Sequence, residues 1–129
     1  MIINDSLAMQ TYLKETIKSF PDCEVINCSS DGKIAQLMLK HKKPDVILLD
    51  LEMPRLDGIS FLEEMSKTSK IPVVIMSVYA KKESQVLRDA INAGAISYIA
   101  PPEDNSQKEH SRFRTLLHVN IVRANLINS

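Results

Sequence analysis

Val46-Ile47-Leu48-Leu49-Asp50-Leu51-Glu52-Met53-Pro54-Arg55-Leu56-Asp57-Gly58 passes from an unbroken apolar run, through an acidic residue, into a turn. Four consecutive apolar residues suit a parallel strand covered by helices on both faces better than a strand with one wet face. Asp57-Gly58 then opens a helix that carries Ile59, Leu62 and Met65 at helical spacing. A buried strand that delivers a carboxylate to the start of a loop is the reading from which the rest follows.

Four more short β-prone runs flank it: Ile2-Ile3, Glu24-Val25-Ile26, Val73-Val74-Ile75-Met76 and Ile96-Ser97-Tyr98-Ile99. Between and after the runs come segments of helical period: Met9, Leu13, Ile17 and Phe20; Ile34, Leu37 and Met38; Val86, Leu87, Ala90 and Ile91; and Phe113, Leu116, Leu117, Ile121 and Ala124. Asp31-Gly32 turns into the second helix, and Ala93-Gly94 closes the fourth at the usual C-terminal glycine position. Five strands alternating with five helices imply right-handed βαβ crossovers and an open, doubly wound parallel sheet. In such sheets the functional site lies beyond the carboxyl ends of the strands.

The 129 residues, 44% of them hydrophobic, are expected to form one domain with a core that needs no disulfide or structural metal. Sixteen Lys+Arg balance sixteen Asp+Glu, which argues against the strongly basic field needed to capture nucleic acid or an anionic membrane. The longest apolar run, Ile71 to Met76, contains Pro72 and falls far short of the roughly 18 residues that span a bilayer. With no secretory pattern in the first twenty residues, a cytoplasmic protein is expected. Cys23 and Cys28 read as members of one strand, pointing to opposite faces and staying reduced, and no Cys/His spacing suggests zinc.

The strands end in Asn4-Asp5, Asp50, Ser77 and Pro101-Pro102. Asp5 and Asp50 meet at one edge, where like charges are costly unless a cation bridges them or one takes a proton. Carboxylate oxygens, a backbone carbonyl and waters suit Mg²⁺. The simpler alternative is that each Asp merely caps the helix that follows it.

These residues resemble the response-regulator receiver domains of two-component signalling over nearly the whole chain. Asn4-Asp5-Ser6 resembles the acidic turn after strand one, Asp50 to Gly58 the phosphoacceptor loop, and Ser77 stands where that family has Ser or Thr. Within it, Asp5 to Met9, Phe20 to Val25, Glu52 to Glu63 and Ile71 to Val74 look most like the receiver of the chemotaxis methylesterase. The resemblance implies a flavodoxin-like sheet of strand order 2-1-3-4-5. It implies a switch that takes a phosphoryl group on Asp50 from a histidine kinase and controls an effector. Mg²⁺ would be held by Asp5, Asp50 and the carbonyl of Glu52, with Asn4 reaching it through water. Ser77 would donate to a phosphoryl oxygen, and Tyr98 matches the aromatic whose rotamer reports the switch.

Two departures bear on this. Asn4 replaces the first member of the usual acidic pair, and Pro101 stands where a lysine is expected, beside Pro102, where the family commonly has a cis proline. Lys81 and Lys82, after Ser77, are candidates to replace that ammonium. A degenerate receiver that binds partners without phosphorylation is the alternative, whereas a flavin carrier is disfavoured because the acids at the strand ends would repel a flavin phosphate. His41, His110 and His118 lack metal-site spacing, and no methylesterase nucleophile motif occurs. At about 100° per residue, the last helix (106–127) directs Phe113, Leu116, Leu117, Ile121, Ala124 and Ile127 to the sheet. Val119, Val122 and Leu126 fall together on the opposite side, either as the scattered apolar residues common on protein surfaces or as a stripe that contacts a second copy of the chain or an effector domain beyond Ser129.

Overall fold

The computed structural model describes residues 1–53, 57–80 and 84–127. The elements are β1 (Ile2–Ile3), α1 (Leu7–Lys18), β2 (Cys28–Ser29), α2 (Gly32–His41), β3 (Ile47–Asp50), α3 (Gly58–Thr68), β4 (Val73–Met76), α4 (Gln85–Asn92), β5 (Ser97–Ile99) and α5 (Gln107–Ile127). All strands are parallel, in the order β2-β1-β3-β4-β5, the flavodoxin-like arrangement expected.

Side-chain alternation along β3 and β4 divides the core between two faces of the sheet. Ile47, Leu49, Val73 and Ile75 pack with Ala35 and Leu39 of α2, Phe61, Leu62 and Met65 of α3 and Ala90 of α4. Leu48, Val74 and Met76 pack with Leu13 and Ile17 of α1 and Phe113, Leu117 and Ala124 of α5. Strands apolar at every position are therefore required, as each successive residue meets a different helical layer.

The helix starts are chemically determined. Ser6 accepts from the Met9 N–H, Asp31 from Lys33 and Ile34, Asp57 from Ile59 and Ser60, and Ser84 from Leu87. Each satisfies donors that the first turn leaves without an intrahelical partner. Gly94 ends the α4 region at φ 123°, a conformation L side chains rarely adopt.

Three expectations are corrected. The second strand is Cys28–Ser29, not Glu24–Ile26, because its partner β1 begins only at Ile2, which registers with Cys28; the earlier run has no strand beside it. Cys23 thus lies outside the strand that contains Cys28. On α5 the buried residues are Phe113, Leu117, Asn120 and Ala124, while Leu116 and Ile127 are 40% and 68% exposed. The sheet takes a narrower stripe than the wheel assigned. Asn120 is tolerated in it because its amide nitrogen donates back to the Leu116 carbonyl at 2.7 Å.

Candidate functional site

The site is assembled at the C-terminal ends of β1, β3 and β4. Ile3 registers with Leu49, so the next residues, Asn4 and Asp50, leave neighbouring strands side by side. Asp50 registers with Met76 across the other flank, so Ser77 emerges one residue further on. The Leu51 N–H donates to the Met76 carbonyl at 3.0 Å and the Ser77 N–H to the Ile99 carbonyl at 3.0 Å. These bonds carry the ladder into the loops and fix the backbone at Asp50 and Ser77, the two candidate side chains.

Asn4 is 1% exposed. Its Oδ1 accepts from the Ser6 N–H at 2.9 Å, and its carbonyl accepts from Gln10 Nε2 at 2.6 Å. Position 4 therefore shapes the turn that presents the exposed Asp5. Asp50 is half-buried, and its Oδ1 accepts from the Glu52 N–H at 3.0 Å. Burial pushes its carboxyl above the usual carboxylate range; the Glu52 N–H opposes that shift, and the charges of Glu52 and Asp5 add to it. Asp5, Asp50 and Glu52 thus form one electrostatic neighbourhood.

The Glu52 side chain is a feature that sequence reasoning missed, since only its carbonyl was assigned a part. Its carboxylate reaches β4, where Oε2 accepts from the Ser77 hydroxyl at 2.8 Å and Oε1 from the Val78 N–H at 2.8 Å. Ser77, 1% exposed, also accepts the Tyr79 N–H on its Oγ at 3.1 Å. A short polar residue ending a buried strand opposite an acidic loop is the signal that could have found this contact.

Tyr98 projects from β5 with 44% of its surface exposed. Pro101 supplies no charge; its carbonyl and that of Ala100 accept from Arg112 Nη2 at 3.1 and 3.3 Å. Arg112 is also paired with Glu109 through two nitrogens at 2.9 Å each, so it clamps the end of β5 to α5 and does not replace the missing lysine. No peptide bond among the described residues is cis, including the one before Pro102. Lys81 and Lys82, as well as Pro54, Arg55 and Leu56 of the loop motif, lie outside the described residues.

Away from this edge, Asp22, Cys23 and His118 bring potential ligand atoms within 4.8 Å of one another, a meeting that linear spacing did not suggest. Asp22 Oδ1 lies 2.8 Å from His118 Nε2. Burial, then the hydrogen bond and charge of Asp22, push the Cys23 thiol up to about 11. The Cys23 Sγ donates to the same Asp22 oxygen at 3.5 Å, so the three side chains satisfy one another. The group serves as a polar clasp between the α1–β2 turn and α5.

The structure resembles that of the response regulator domain of Thermotoga maritima CheB, with a TM-score of 0.84 and 30% identity over 96% of this chain and 92% of that one. It also resembles a structure of the P1 domain of CheA3 in complex with CheY6 from R. sphaeroides, with a TM-score of 0.75 and 28% identity over 92% of each chain. Among curated sequences, the protein-glutamate methylesterase/protein-glutamine glutaminase of Sulfurimonas denitrificans is 42% identical over 81% of this chain. Only 30% of that relative's length is matched, and 29% of a second methylesterase's. The 129 residues correspond to the receiver portion of such proteins and do not include the methylesterase catalytic domain. No described helix is long and apolar enough to cross a membrane. The response regulator receiver domain model matches residues 1–110, and the chain belongs to that family of signalling switches.

Proposed function

We propose that the chain accepts a phosphoryl group on Asp50 from the phosphohistidine of a sensor kinase and thereby switches an effector in chemotaxis-type signalling. The observation that carries this reading is the position of Asp50: half-buried at the end of central β3, beside Asn4 in register and one residue short of Ser77 across the sheet. Receiver domains in general act with histidine kinases and effector domains, and the relatives named CheB and methylesterase favour a chemotaxis setting.

The glutamyl N–H holds Asp50 Oδ1, which leaves Oδ2 as the nucleophile among the described atoms. Its attack on phosphorus forms the O–P bond as the P–N bond to the kinase imidazole breaks; the leaving imidazole takes up a proton. Desolvation raises the basicity of that oxygen and so its nucleophilic strength. Ser77, buried at the neighbouring strand end, donates to a phosphoryl oxygen, and Tyr98 on β5 follows the rearrangement.

Receiver domains bind Mg²⁺ at an acidic pocket, and the donors here fit it: hard oxygens from Asp5, Asp50 and the Glu52 carbonyl, with Asn4 acting through water. The mutual charge burden on Asp50 is what a bound cation relieves. When bound, Mg²⁺ supplies neutralisation of the phosphoryl oxygens during transfer.

Residues 1–129 form one receiver unit, with α5 leading toward the effector. Val119, 44% exposed, and the neighbouring Val122 offer that effector, or a second copy, an apolar contact. The reading of the chain as a phosphate-independent binding module has no support from the comparisons. Incubation with Mg²⁺ and a small phosphodonor, followed by intact mass measurement, should add one phosphate to the wild type and none to Asp50→Asn. Retention of the adduct in the variant refutes the assignment.

A further inference from the structure

Ser77 has a single hydroxyl proton to donate, and in this structure Glu52 takes it. The same carboxylate takes the adjacent Val78 N–H, so two converging donors grip the two oxygens of one anion. That is the geometry of a small oxyanion site filled by a side chain of the protein itself. The clasp is anchored at its other end as well, because the Glu52 N–H is bonded to Asp50. One residue therefore links the phosphoacceptor to the switch serine through its backbone and its carboxylate.

We propose that the Glu52 carboxylate is an internal competitor for the phosphoryl group, occupying the Ser77 hydroxyl and Val78 N–H until phosphorylation of Asp50 expels it. The proposal rests on the reading of Asp50 as phosphoacceptor and adds a regulatory role for a neighbouring side chain. A phosphoryl group on Asp50 carries roughly two negative charges near neutral pH and three strong acceptor oxygens. It cannot share the single Ser77 proton with Glu52, and its charge repels the carboxylate. At position 101, where an ammonium would draw one of these anions aside, the chain has proline. The rearrangement is thus set by competition between two anions for the same neutral donors, and Glu52 holds the unmodified state.

Two measurements on the full chain test this. In the absence of phosphodonor, Glu52→Ala should shift the Val78 amide resonance upfield through loss of a charge-assisted hydrogen bond, while amides in α1 and α5 stay in place. At a subsaturating concentration of a small phosphodonor with Mg²⁺, Glu52→Ala should raise the ratio of phosphorylated to unmodified protein by about tenfold, the effect of removing about 1.4 kcal/mol of competition. Glu52→Gln should give an intermediate gain, since it keeps an acceptor and loses the charge. A Val78 amide unmoved in Glu52→Ala overturns the clasp. Equal phosphorylation of wild type and both variants overturns the competition while leaving Asp50 as acceptor. No adduct on any of the three proteins overturns the phosphoacceptor reading, and the competition with it.

Discussion

Restoring an acid at position 4 should destabilise the metal-free protein, because register puts that residue beside Asp50. Ile3 pairs with Leu49, and adjacent parallel strands run about 4.8 Å apart. Two carboxylates at that spacing repel by about 3.5 kcal/mol at an effective dielectric of about 20. Asn4 is 1% exposed, so solvent does little to screen the new charge. The Ser6 N–H, already donating to Oδ1 at 2.9 Å, would return about 1 kcal/mol by becoming a charge-assisted bond. Asn4→Asp should therefore cost roughly 2–3 kcal/mol at pH 7, a fall of about 10 °C in Tm for a domain of this size. Thermal melts with a chelator present measure the cost. Saturating Mg²⁺ stabilises both proteins and should narrow the gap by the ratio of their affinities, about 1.4 kcal/mol for a site about tenfold tighter in Asn4→Asp. If Asn4→Asp melts with the wild type in chelator, positions 4 and 50 do not share an electrostatic site and the reasoning fails.

Other expectations follow from contacts remote from Asp50. Burial lowers the Met1 amine to about 6 from an ordinary 8.0, so in the chain that starts at Met1 the unfolded state holds the extra proton between those values. Stability should then rise with pH across that window by about 1.4 kcal/mol per unit, and urea unfolding at pH 6 and 8 measures the slope. Asp31→Ala removes acceptors for the Lys33 and Ile34 N–H groups at 2.7 and 3.3 Å and should cost about 1 kcal/mol of folding stability by urea titration. The hydrogen bond from His118 holds the Asp22 carboxyl below its usual range. The linked stabilisation is present above the usual range and lost as acidification protonates Asp22, so His118→Ala should move the Asp22 titration upward by NMR.

Legibility in the sequence followed the range of the forces involved. Four consecutive apolar residues before Asp50 and four more at Val73–Met76 reveal buried strands because every position in each faces a helical layer. Asp31, Asp57 and Gly94 are legible for a similar reason: caps and a positive φ are local chemistry. Glu24–Ile26 misleads because β propensity cannot say where a partner strand begins. The α5 face misleads because the helix wheel has no information on how wide a stripe the sheet accepts, or that Asn120 can satisfy its own amide within the helix. Glu52 was legible as the third residue of a phosphoacceptor-like loop, but its grip on Ser77 spans 25 residues and two loops. Such contacts depend on relative strand placement, which composition and period do not encode.

The two departures from the receiver pattern act on opposite flanks of Asp50, and they offset in charge without offsetting in function. Asn4 in place of an acid removes one negative charge beside β3; Pro101 in place of lysine removes one positive charge beyond β4. The net charge around Asp50 is therefore the same as in the family pattern, and under the proposed function the capacity to take a phosphoryl group would depend chiefly on Asp50, Asp5 and the cation they would hold. The distribution differs. On the β1 side, the less acidic turn reduces repulsion in the unmodified state and, for the proposed Mg²⁺ site, would weaken the hold on the cation. On the β5 side, Arg112 is committed to the Ala100 and Pro101 carbonyls and to Glu109, so it is not the ammonium that would draw a phosphoryl oxygen and Ser77 together. Phosphorylation and switching, coupled through that lysine in the family pattern, would on the proposed reading meet here at the Ser77 hydroxyl, and because the Glu52 carboxylate already accepts from it, their coupling would be a matter of which anion holds the serine.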